Sequence, residues 1–219
     1  MQKIKKRVSG KFQELKKEAK YTFHKWKKQL IIADKIIFFV IVLLLEVVRP
    51  DILVIWVYFM IYPYMLLTAR KSAIYHLFVS SIIALIWVFI AKNQYSYGGM
   101  IAVLGINIYP LFAWAAGLFG TYLIYSHWEH ILQERGWFKK MLLFVAFYWP
   151  MLIAVETIAY HVFNIRNLST IAYAGLPLCD CIHAPRWMQI SYLALGPIYF
   201  GICELIGLEN PHYIRMKKQ

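Results

Sequence analysis

Five consecutive residues, Cys179-Asp180-Cys181-Ile182-His183, carry the densest set of reactive side chains in the 219-residue chain. Three chemistries fit them. As metal ligands, Cys179, Cys181 and His183 supply thiolate and imidazole donors, with His161 as a fourth, although structural zinc commonly leaves about two to four residues between its cysteines and only one stands here. As a redox pair, two cysteines this close would form a strained and easily reduced disulfide. As structure, both would lie buried beneath their own loop, or one would pair with another chain. The spacing matches no strong metal motif.

Asp180, His183 and Arg186 add groups for proton transfer and anion binding, because a guanidinium grips a carboxylate or phosphate at two points. Upstream, Trp149, Ile153, Glu156 and Tyr160 recur at spacings of three and four. That puts Glu156 and Tyr160 on one helix face, with His161 just beyond. A carboxyl held partly out of water at this position suits general acid or base work. Its structural alternative is a hydrogen bond to Tyr160, Arg49 or a carbonyl freed by a proline. No nucleophile signature, phosphate-cradling glycine loop or HExxH accompanies these residues. His127, Glu129 and His130 imitate a metal motif, but their connector is amphipathic and wet.

The elements that must position these groups are membrane helices. With 61% hydrophobic residues and a mean hydropathy of +0.53, the chain is too apolar for a water-soluble domain. Of its 24 Lys and Arg, eleven precede Leu30. There Phe12, Leu15, Ala19, Phe23, Trp26 and Leu30 form an apolar stripe among lysines, which predicts an amphipathic interfacial helix over 1–29 that meets anionic headgroups. The remaining charge forms no stripe, so the net charge of +13 points to a membrane face and excludes a nucleic-acid groove. The N-terminus also lacks the pattern of a cleavable signal peptide.

Six apolar stretches follow, near 30–48, 51–69, 73–91, 100–124, 141–160 and 187–207, each close to the ~20 residues that cross a bilayer. Nineteen basic residues fall in the N-terminal segment, alternate connectors and tail that share one side, against four on the other, so both termini are expected in the cytoplasm. The expectation is an all-α integral membrane protein of about six transmembrane helices over 30–207. It has an N-terminal amphipathic helix, an ordered outer lid loop over 161–186 between the last two spans, and a cytoplasmic tail over 208–219.

Four spans carry an internal proline, Pro63, Pro110, Pro150 and Pro197, each expected to kink its helix. Gly117 and Gly120, with Ala113, Ala115 and Ala116, offer a face for close helix approach. Among charges inside spans, Asp34 and Lys35 are expected to snorkel toward the inner face, and Glu204 to reach inner headgroups. Glu46, Arg49 and Asp51 converge at the outer level with Glu156, His161, Asp180, His183 and Arg186. The expected function is an outer-interface pocket, that of an enzyme acting on a lipid-like or isoprenoid-like molecule. In it Glu156, His161, Asp180 and His183 are the catalytic candidates, and Glu46, Arg49, Tyr160 and Arg186 the binding candidates. The alternatives are a small transporter with a relay through Glu46, Glu156 and Glu204, and a non-catalytic membrane subunit. The sequence specifies no cofactor and no oligomeric state.

Overall fold

The computed structural model of the protein describes residues 27–47, 49–68, 70–128, 136–208 and 210. The expected amphipathic helix before Lys27, the HWEH connector beyond Trp128 and the tail from Pro211 onward lie outside the described residues, as does the side chain of Glu46.

The described chain is mostly helical. Its helices are α1 (Lys27–Val47), α2 (Pro50–Leu67), α3 (Ser72–Ile90), α4 (Ile108–Ser126), α5 (Trp137–Thr157) and α6 (Arg186–Leu205). Four of them, α2 to α5, are long and apolar enough to cross a membrane. Pro50 starts α2 at the position where its missing N–H costs nothing. α3 and α4 form the most extensive pairing, α6 packs on α5 and α3, and α1 packs mainly on α2 and α4.

The stretch 100–107 is not helical. Ala102–Val103 (β1) pairs antiparallel with Ile106–Asn107 (β2) through a turn in which Leu104 and Gly105 both have positive φ, 52° and 75°. Two left-handed residues in succession match the twist of a tight hairpin, and Gly105 adopts that conformation without a steric penalty. The Asn107 side chain then caps α4 by accepting from the Tyr109 N–H at 3.0 Å. Helix α4 therefore begins eight residues later than expected. Pro110 falls in its first turn, where it removes no helical hydrogen bond and produces no kink. Pro63, Pro150 and Pro197 do lie inside helices.

The core between α4, α5 and α6 is aromatic. Tyr122, Tyr125, Phe144, Tyr199 and Phe200 are buried and meet edge-on, tilted or stacked, with ring centroids 5.2–6.3 Å apart. α5 packs tightly on α6 at Gly196, where any Cβ would run into the ring of Tyr148.

A cleft between Glu156 and Asp34

The small residues of α4 line a cavity of about 260 Å³ instead of closing a helix contact. A Cβ on Gly117 would meet nothing within 4 Å, and one on Gly120 would meet only the Phe38 ring at 3.8 Å. This corrects the expected close approach. α4 forms the floor, with Ala113, Ala116, Gly117 and Gly120 on one face; α1 and α2 form one wall and α5 the other. The lining runs along α4 from Tyr109 to Ile124, about 22 Å at the ~1.5 Å rise per residue of a helix. Ile37 and Gly117 belong to the lining and are exposed, so the cavity is a cleft with an open side.

Glu156 lines one end. It is half-buried, and among the described residues no hydrogen bond or ion pair reaches its carboxylate. Around it stand Tyr97, Tyr109 and Tyr192, all on the cavity wall and all within electrostatic reach. Tyr192 belongs to a buried network. The Tyr95 hydroxyl oxygen accepts from the indole N–H groups of Trp87 (2.8 Å) and Trp114 (3.0 Å) and lies 2.9 Å from the Tyr192 hydroxyl. With both acceptor sites taken, the Tyr95 O–H must donate to Tyr192. The Tyr192 proton is then left for a partner in the cleft. Burial pushes the Tyr95 and Tyr97 phenols above their ordinary range, so both stay neutral donors.

Asp34 lines the opposite end, and it does not snorkel. Its carboxylate is buried and accepts from Arg70 Nη1 (2.6 Å), Arg70 Nη2 (3.0 Å) and the Tyr64 hydroxyl (2.7 Å), with His127 Nε2 at 3.1 Å. Arg70, one of the basic residues of the connector after α2, is 1% exposed. A bidentate pair with two further partners holds this charge out of water at tolerable cost. Lys35 instead lies over the Trp128 ring, at 5.6 Å from its centroid.

The other predicted site residues form a second assembly. His161 Nε2 faces the carbonyl oxygens of Cys179 (3.1 Å) and Asp180 (3.0 Å), so this nitrogen carries the proton. His183 turns Nδ1 to the Tyr173 carbonyl at 2.7 Å and Nε2 to the Asp180 carbonyl at 3.0 Å, and stacks on Tyr160 at 4.3 Å. Arg166 covers the Tyr160 ring at 4.8 Å. Cys179 and Cys181 are bonded to each other, so in this form neither offers a thiolate to a metal. Among the described residues no three His, Cys, Asp or Glu side chains gather as a metal site requires.

The loop is pinned to the segment after α3. The Asn167 amide donates to the Gln94 carbonyl at 2.6 Å, and its oxygen accepts from the Ser96 N–H at 2.9 Å. Arg49 pairs with Asp51 at 2.7 Å and donates to the Gly99 carbonyl at 2.9 Å, while Asp51 accepts from the Ile101 N–H at 2.9 Å. Both anchor the turn before the hairpin. Arg186 begins α6 and is exposed. Glu204 lies 3.8 Å from Lys140 and is not on the cleft.

Thus, of the predicted site residues with a described side chain, Glu156 alone lines the cleft; His161, Asp180 and His183 meet one another in the loop, with Tyr160 beside them. The residues that sequence reasoning missed are Asp34, Tyr97, Tyr109 and Tyr192. Asp34 was visible as a charge inside an apolar stretch, whereas nothing in the spacing of the tyrosines marks a shared wall. The chain matches no protein-family model, no curated protein and no solved structure.

Proposed function

We propose that the chain is a six-span membrane protein, with α1 and α6 joining the four most apolar helices and both termini on the Lys- and Arg-rich cytoplasmic side, and that its cleft holds a lipid-like molecule. The observation that carries this reading is Glu156: a carboxylate without a partner among the described residues, at one end of a largely apolar cleft whose other acid, Asp34, is paired. The open side, between α1 and α5, gives a membrane lipid a lateral route in. The 163–185 loop covers the Glu156 end from the outer side, and in the enzymatic form of the reading Glu156 exchanges a proton with the bound head. Lipid bound to protein purified in mild detergent should appear in its native mass spectrum. Gly117→Leu, which blocks the floor partway along, should remove the long-chain adduct while α-helical content is retained. An adduct unchanged by Gly117→Leu would sink the reading.

A second reading has one observation in its favour, since the same cleft touches acids at both ends and could carry protons between them. Asp34 is already satisfied by Arg70, Tyr64 and His127, which leaves it a poor relay. Proton flux into proteoliposomes that is lost in Glu156→Gln would favour this reading over storage or chemistry.

A further inference from the structure

We propose that the occupant is a single-chain amphiphile whose head donates hydrogen bonds, a long-chain alcohol or a long-chain amine, with the head at Glu156 and the tail running toward Asp34. This rests on the reading of the cleft as a lipid-like site and narrows it in two respects, chain number and head chemistry.

Chain number follows from shape. A volume of about 260 Å³ distributed over about 22 Å leaves a groove one hydrocarbon chain wide. Two acyl chains side by side do not fit. The length is also informative, because half of a ~30 Å hydrocarbon core is about 15 Å, so an extended tail in the cleft reaches past the bilayer midplane. At the far end the tail meets no free charge, since Arg70 neutralises Asp34.

Head chemistry follows from the partners. A phosphate or carboxylate head would lie against Glu156 with no cation on the cleft wall beside it among the described residues: Arg49 is held by Asp51 and Gly99, and Arg166 lies over Tyr160. Like charge at short range in an apolar site is costly. A hydroxyl head fits both available groups, donating to Glu156 and accepting the Tyr192 proton. An ammonium donates to Glu156 and to the phenol oxygens of Tyr97 and Tyr109, which carry no hydrogen bond among the described residues. The two heads share donor chemistry, and the test separates them.

The experiment presents the delipidated full chain in detergent with hexadecylamine, hexadecanol, palmitate or dioleoylphosphatidylcholine, and counts bound probe by native mass spectrometry. One equivalent of the amine or of the alcohol should bind, and palmitate and the diacyl lipid should not. Glu156→Gln should weaken the amine by about tenfold or more, the loss of one charge-assisted hydrogen bond, and the alcohol by less. The wild-type comparison stands even if that variant fails to fold. Palmitate or the diacyl lipid binding as tightly as the amine and alcohol would overturn the assignment of head and chain while leaving a lipid site intact. Failure of all four probes to bind folded protein would overturn this proposal and the lipid reading together.

Discussion

Glu156 and Asp34 line the same cleft, and their surroundings give them opposite roles. Asp34 is spent on structure: Arg70, Tyr64 and His127 use its oxygens, and the pair joins α1 to the α2–α3 connector and the end of α4. Removing one partner leaves a buried charge uncompensated, so Arg70→Met should cost about 3–5 kcal/mol. Replacing both, as Asp34→Leu with Arg70→Met, should recover part of that loss. Chemical denaturation in detergent, read by tryptophan fluorescence, checks both values; an Arg70→Met variant as stable as wild type would mean the pair contributes nothing. Glu156 has no such network among the described residues. Its oddity was legible in the sequence, because a carboxylate among Trp149, Ile153 and Tyr160 has no obvious reason to be there; that it lines a cleft was not. The burial of Asp34 was not legible, since its partner Arg70 stands 36 residues away beside Lys71 and reads as an ordinary connector charge.

At the scale of elements, most helices follow from apolar runs of the right length, and the exceptions have local causes. Residues 100–107 read as the start of a span because Met100, Ile101, Ala102, Val103 and Leu104 are apolar, yet two positive-φ residues turn the chain back at Leu104-Gly105. Hydropathy does not register backbone handedness. The small-residue face of α4 was visible as well, but its use was not, since the same residues serve a close helix contact or an empty space. The close approach that does occur rests on Gly196 against Tyr148, which sequence reading passed over. Gly196→Ala should force α5 and α6 apart and cost about 1–3 kcal/mol, lowering the melting temperature in detergent. An unshifted transition would show that the α5–α6 contact yields without strain.

For the whole molecule, the proposed topology follows from charge asymmetry and is directly measurable. Cysteine introduced at Leu178, a fully exposed point of the 163–185 loop, should react with a membrane-impermeant thiol reagent added to intact cells. Cysteine at Lys71, in the α2–α3 connector, should react only after permeabilisation. The reverse pattern would invert the arrangement and place the Glu156 end of the cleft at the cytoplasmic leaflet.

The floor of the cleft has one more consequence. Ala113, Ala116, Gly117 and Gly120 climb a single face of α4 by about one turn, ~5.4 Å, for each three or four residues, starting near Glu156 and ending near Asp34. For a tail in the proposed site they would be the graduations of a ruler. Bulk introduced at Gly120 would trim the longest accommodated tail slightly, at Gly117 by a further turn, and at Ala113 most of all, so the chain-length selectivity of the proposed site would be reset in steps without touching Glu156.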